Sequence, residues 1–158
     1  MNLVDLARVG RSISLGVWLG ASIMVFVAAP IVFEKLAPDR SRAGEIVGAI
    51  LHSAALLCAG LAVVALLSQG LLFFNDAESG WKRYTTTAAL LAALALMAVL
   101  LIWIGPRIES VRQQIGVFTP ENENSPERQL FRKLHGASMG LSLLQTICVA
   151  IAFVAGLL

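Results

Sequence analysis

The sequence predicts an all-α integral membrane protein, a bundle of four transmembrane helices joined as antiparallel hairpins. Hydrophobic residues make up 58% of the 158 residues and charged residues only 14%, whereas about a quarter of a typical soluble domain is charged. The charged residues leave four long uncharged runs, at residues 12–33, 46–75, 84–106 and 134–158. Each run exceeds the roughly 20 residues that a helix needs to cross the hydrocarbon core. We therefore expect one four-span domain over residues 1–158.

The first two spans are separated by a short polar connection. Arg8 and Arg11 precede the first run, and this basic start is also found in cleavable signal peptides. We favour a retained span, because the run has full spanning length and lacks a clean small-x-small cleavage site. The connection at residues 34–45 contains Pro38 and Asp39, which are typical turn residues. Spans one and two should therefore form a tight hairpin.

The connection between spans three and four, residues 107–133, has structure of its own. Ile108, Val111, Ile115 and Phe118 recur at helical spacing among polar residues, which predicts an amphipathic continuation of span three or a helix at the membrane interface. The proline-containing stretch 120–126 then ends that helix. Ser125 is a good N-cap, and the proline after it suits the first helical position. A new helix should begin there and run into span four.

Two glycine pairs predict close helix packing. Gly16 with Gly20 in span one and Gly136 with Gly140 in span four form G-x-x-x-G patterns. Small residues four apart let helix backbones approach closely inside a membrane. We interpret them as contacts within the bundle, and a dimer face is the alternative.

The distribution of basic residues predicts the orientation. Arg8, Arg11, Lys82 and Arg83 lie on one side of the membrane. Eight basic residues lie on the other: Lys35, Arg40, Arg42, Arg107, Arg112, Arg128, Arg132 and Lys133. Loops rich in lysine and arginine tend to stay in the cytoplasm, so we expect both termini outside, in a bacterial inner membrane.

Several function classes are disfavoured by the sequence. The chain lacks G-x-S-x-G, H-E-x-x-H and a phosphate-binding glycine loop, so none of these motifs of hydrolytic enzymes is present. The net charge of +2 comes from loops that the orientation rule already explains, so we expect no nucleic-acid partner. An ion-coupled carrier is also disfavoured, because no charged residue lies inside any predicted span.

The two histidines are candidate ligands. His52 and His135 lie just inside spans two and four, at ends that share the predicted cytoplasmic side. Centred spans would place them about 12 Å and about 16 Å from the bilayer midplane. Histidine is also stable at a membrane boundary without any ligand, because its ring is apolar and its nitrogens can contact water. The alternative is a haem b or copper site that uses both imidazoles.

Three segments resemble a known family. Residues 15–36, 104–112 and 131–138 resemble the small membrane proteins typified by transmembrane protein 205. The most specific pieces are Pro30 with Phe33, Pro106 with Arg107, and His135-Gly136 with Ser138. The resemblance implies a four-helix membrane protein without an established activity. The family's asparagine four residues after the serine is replaced here by Ser142.

A more distant resemblance is to copper-resistance-D-like membrane proteins, which include a haem-binding protoporphyrinogen oxidase. Trp18-Leu19-Gly20 is similar to their Trp-x-Gly pattern in an early span. The histidine that precedes that pattern in the enzyme is absent here, and Arg11 and Ser14 stand nearby instead. The resemblance therefore gives little reason to expect haem chemistry.

These observations predict a polar cluster at the cytoplasmic face. Its members are Pro30, Phe33, Glu34, Pro106, Arg107, Arg132, His135, Gly136 and Ser138. The function we expect is non-enzymatic, either as an accessory protein or in handling a small molecule or metal, with the bilayer as the first partner. A homo-oligomer or a larger membrane complex is compatible with the sequence.

Overall fold

The computed structural model describes residues 2–37, 39–75, 80–116, 122 and 124–158, and it confirms the all-helical fold. The helices are α1 (Leu3–Lys35), α2 (Arg40–Phe74), α3 (Gly80–Ala98), α4 (Gly105–Ile115) and α5 (Pro126–Leu157), with a π-helical segment at Val99–Ile104 between α3 and α4. Within these described ranges four helices are long and apolar enough to cross a membrane. They extend beyond the uncharged runs, so α1 already includes Arg11.

Side-chain caps fix where three helices begin. Asn2 accepts a hydrogen bond from the Asp5 backbone N–H at 2.8 Å, and the Asp39 carboxylate accepts one from the Arg42 N–H at 3.0 Å. Ser125 accepts one from the Arg128 N–H at 3.2 Å, with proline next to it at the first helical position. These bonds satisfy N–H groups that the first turn of a helix leaves without partners. The predicted start of the last helix is confirmed.

Span three continues into α4 through the π-helical segment, as the amphipathic pattern predicts. The Gly105 N–H donates to the carbonyl of Leu100, five residues earlier. Pro106 follows directly, and proline has no backbone N–H to donate to a regular helical hydrogen bond. The π-helical turn therefore lies next to the residue that lacks a donor. Val111, on the apolar face of α4, is buried. Phe118 lies outside the described residues.

The helices form a ring in the order α2, α1, α5, α3. Helix α1 packs on α2 and α5, and α3 packs on α5 and more loosely on α2. Helices α2 and α5 are therefore diagonal in the bundle. Small residues let the helices approach around the indole of Trp18, as is usual in membranes. The buried core comprises Leu15, Trp18, Cys58, Ala62, Ala65, Leu90, Ala93, Val149 and Ala152.

Large aliphatic side chains cover the outside of the ring. Met24, Leu67 and Ile102 are each at least 64% exposed in the isolated chain. A water-soluble domain rarely exposes so extensive an apolar surface, whereas a bilayer solvates it. The outer surface therefore suits contact with lipid.

Candidate functional site

The bundle carries polar groups at both ends, and the two ends differ. At the end where both termini lie, a buried set of side chains links the helices, and we call Arg11, Gln69, Thr87 and the Gly156 carbonyl the termini-side layer. At the other end, which the sequence predicts to be cytoplasmic, the polar groups are mostly exposed.

Hydrogen bonds in the termini-side layer join all four helices. Arg11 is 1% exposed; its Nη1 donates to Gln69 Oε1 at 2.7 Å and its Nη2 to the Gly156 carbonyl at 2.8 Å. Gln69 Nε2 donates to Thr87 Oγ1 at 3.0 Å, and that hydroxyl donates to the Arg83 carbonyl at 2.7 Å. The chain of bonds therefore runs from α5 through α1 and α2 to α3.

A buried guanidinium is stable only when its N–H groups find good acceptors. Removing a charge from water costs several kcal/mol, and short charge-assisted hydrogen bonds offset that cost. Arg11 has two such bonds, and it makes further contacts as well. Because breaking them leaves a buried charge, the layer should hold the helix ends at fixed positions relative to one another.

Other polar side chains are buried near this end. Ser14 and Ser68 are almost completely buried. Trp18 Nε1 and Thr86 Oγ1 are fully buried and have no hydrogen-bond partner in the part of the chain that the structure describes. Because the hydrogen bonds of the layer join all four helices, we interpret this end as structural.

Sequence reasoning missed the termini-side layer because it followed ionisable residues only. Arg11 was counted as a residue of the N-terminal flank, whereas the structure places it inside the bundle. The signal that identifies the layer is Gln69, an amide inside the second uncharged run. A polar side chain inside a span usually finds a partner on another helix.

Most of the predicted cytoplasmic cluster is exposed. Ser138 is half-buried, and its hydroxyl donates to the His135 carbonyl at 3.0 Å within α5. The His135 ring lies parallel to that of Phe131, with centroids 5.8 Å apart. The exposed members are Pro30, Phe33, Glu34, Pro106, Arg107, Arg132, His135 and Gly136. Hydrogen bonds between different helices are not seen among these side chains in the described residues.

Two shallow concave features lie at this end among the described residues. One has a volume of about 190 Å³ and is lined by Ser41, Glu45, Arg112, Gln113 and Gly116. The other lies between α4 and α5. We call it the α4–α5 groove; it has a volume of about 170 Å³ and is lined by Arg107, Ser110, Val111, Leu130 and Leu134. Leu130 and Leu134 both line the groove and are four residues apart, about one helical turn. The residue midway between them therefore faces away from the groove. The groove therefore includes Arg107 of the predicted cluster and not Arg132.

Both histidines are exposed. His52 belongs to α2 and His135 to α5, helices that are diagonal in the bundle. In the described residues there is no group of three histidine, cysteine or acidic side chains that could hold a metal ion. Neither imidazole is buried between the helices, where a haem held within one chain would lie. The shared site stays a prediction, and spectroscopy can test it.

The four glycines of the packing motifs have different surroundings. A Cβ added at Gly16 would lie 3.4 Å from the ring of Phe153, in ordinary contact. A Cβ added at Gly20, Gly136 or Gly140 would meet nothing within 4 Å among the described residues. Close packing at these three glycines would need a helix from another molecule.

Helices α1 to α4 match a family model over most of their length. The model of a domain of unknown function, DUF4149, matches residues 13–116. The chain belongs to the DUF4149 family. The DUF4149 match includes Gln69 and Thr87 of the termini-side layer and the α4 wall of the groove, and it ends before α5. No curated protein and no solved structure matches the chain.

Proposed function

We propose that this DUF4149 protein is a non-enzymatic membrane protein of the transmembrane protein 205-like type that binds an amphiphilic small molecule in the α4–α5 groove. The observation that carries the proposal is the lining of the groove. Arg107 and Ser110 offer a guanidinium and a hydroxyl, and Val111, Leu130 and Leu134 offer an aliphatic wall. A molecule with one polar end and one apolar part complements such a surface.

The size and position of the groove favour the polar end of a membrane-soluble molecule. Pockets for drug-sized ligands usually have volumes of about 300–1,000 Å³, whereas the volume of the groove is about 170 Å³. Arg107 follows the last residue of the third uncharged run, so it lies at the level of the lipid headgroups. A ligand could therefore place its polar end in the groove and leave its apolar part in the bilayer.

The polar groups of the groove are available for a ligand. In the described part of the chain Arg107 forms neither a hydrogen bond nor an ion pair, and its guanidinium lies 5.3 Å from the centre of the Trp103 ring. Ser110 lacks a general base among its groove neighbours, so its hydroxyl has no partner to activate it for attack. The lining therefore supports binding rather than turnover.

The first test is whether the groove retains a small molecule. Purification in a lipid-preserving polymer, followed by native mass spectrometry, should detect one adduct per chain. Ser110→Trp fills the groove and should remove the adduct. Ser53→Trp is the matched control, because Ser53 is an exposed serine on α2. Absence of any adduct, or equal adducts in the two variants, would contradict the proposal.

The orientation is part of the same proposal, with the groove at the cytoplasmic side of a bacterial inner membrane. In a chain whose native cysteines are replaced, single cysteines at Ala37 and Asn124 should react with a membrane-impermeant maleimide only after cell lysis. A cysteine at Leu158 should react in intact cells. All three residues are exposed. Labelling of the first two in intact cells would reverse the orientation.

A haem or copper function for His52 and His135 gives a different expected result. We expect added haem and added copper ions to leave the absorbance spectrum of the purified protein unchanged, because both imidazoles are exposed and lie on different helices instead of facing the interior of the bundle. A bis-histidine haem spectrum that disappears in His135→Ala and in His52→Ala would contradict this expectation.

A further inference from the structure

Resting on the proposed function, we propose that the amphiphile is a phospholipid with an anionic headgroup. Its phosphate is bound by Arg107 and Ser110, and part of an acyl chain lies against Val111, Leu130 and Leu134.

The charges around the groove favour an anion. Arg112, the next cation on α4, is paired with Glu109 at 3.2 Å, whereas Arg107 has no acidic partner among the described residues. Lys133 is also without one there, and on α5 it lies three residues after Leu130 and beside Leu134, at the edge of the groove. Two unpaired cations therefore flank the same opening.

One described acidic residue lies on the same face of α5 as the groove. Glu127 is three residues before Leu130 and seven before Leu134, about 4.5 Å from Leu130 along the helix axis. Glu121 and Glu123 lie outside the described residues. Two cations without an acidic partner, Arg107 and Lys133, therefore outnumber this one carboxylate at the groove. Five basic and four acidic residues share the stretch 105–135.

The recognition chemistry selects a phosphate that carries a chain. A guanidinium binds two phosphate oxygens at once, and a serine hydroxyl can donate to another. Free inorganic phosphate would gain nothing from the three aliphatic side chains, whereas an acyl chain buries apolar surface on them. Phosphatidylcholine carries its own cation, which would lie near Arg107 and Lys133. An anionic headgroup avoids that repulsion.

The test compares two lipids that differ in headgroup charge. The full chain is placed in nanodiscs of equal parts phosphatidylglycerol and phosphatidylcholine, and native mass spectrometry measures which lipid stays bound. We expect about fivefold enrichment of phosphatidylglycerol, the ratio that corresponds to about 1 kcal/mol for one cation at a membrane surface. Arg107→Gln should lower the enrichment clearly, towards the smaller value that Lys133 alone supports. Arg42→Gln, an exposed cation on α2, should leave it unchanged.

The outcomes separate this inference from the proposed function. Equal enrichment in wild type and Arg107→Gln would overturn the lipid assignment, as would displacement of phosphatidylglycerol by inorganic phosphate at equal concentration. If a different adduct is retained and Ser110→Trp removes it, the lipid class is wrong and the amphiphile-binding function stands. If Ser110→Trp changes no adduct, both fail. Arg107 is exposed, so its replacement should leave the folded state intact.

Discussion

Replacing Gln69 with leucine should lower the free energy of unfolding by about 3 kcal/mol, because it removes an acceptor from a buried guanidinium. Gln69 Oε1 lies 2.7 Å from Arg11 Nη1, and its Nε2 lies 3.0 Å from Thr87 Oγ1. The substitution therefore breaks the link from α1 to α2 and the link from α2 to α3. Chemical unfolding of the purified protein in mild detergent measures the change.

Gln145→Leu is the matched control for that measurement. Gln145 is a half-buried amide on α5, and in the described part of the chain it makes no hydrogen bond between side chains. Its replacement should change the free energy of unfolding by about 0.5 kcal/mol or less. Equal effects of Gln69→Leu and Gln145→Leu would show that the termini-side layer does not stabilise the bundle.

A double substitution separates the charge from the packing. In Arg11→Met the buried charge is absent, so Gln69→Leu should then cost clearly less than it does beside arginine. Methionine has a length similar to that of the arginine stem and can fill the same space. A cost that stays at about 3 kcal/mol in the Arg11→Met background would assign the effect to helix packing rather than to the buried guanidinium.

The sequence predicts the helices well because membrane insertion depends on hydrophobic length and on charge placement, and both can be counted directly in the sequence. Run length and the placement of charges define the spans, and Ser125 with the following proline defines the start of α5. Pairing between helices is different, because it depends on how each helix is rotated about its axis. Gln69 meets Arg11 only because the rotations of α1 and α2 allow it.

The predicted cytoplasmic cluster shows the same limit. Depth and the family resemblance grouped Arg107, Arg132 and His135, since all three lie close to the ends of uncharged runs and within the similar segments. The π-helical turn before Gly105 changes the rotation of α4 in a way that spacing in the sequence does not reveal. In the structure Arg107 lines the groove with Leu134, whereas Arg132 lies on the other side of α5.

The two ends of the bundle therefore suit different roles. The termini-side layer joins four helices through a buried charge, and separating them there would expose that charge to an apolar environment. At the other end α4 and α5 leave an open groove with unpaired polar groups. A bundle that is fixed at one end and open at the other can bind a molecule without a large rearrangement of its helices.

Gly156→Ala should lower the free energy of unfolding by about 2 kcal/mol, although alanine is the better helix former. A Cβ at position 156 would lie 2.9 Å from Arg11 Nη2 and 3.0 Å from its Cζ, so the guanidinium would have to leave the Gly156 carbonyl. Losing a hydrogen bond from a charged group costs about 1.5–3 kcal/mol, and the gain in helix propensity offsets up to about 1 kcal/mol.

Gly140→Ala separates these two contributions. Gly140 lies in the same helix, and a Cβ there meets nothing within 4 Å among the described residues, so only the propensity gain remains and the bundle should become slightly more stable. In Arg11→Met the steric conflict at position 156 also disappears, and Gly156→Ala should then resemble Gly140→Ala. Destabilisation of equal size with and without Arg11 would show that the glycine is needed for backbone packing, and not for access of the guanidinium to its carbonyl.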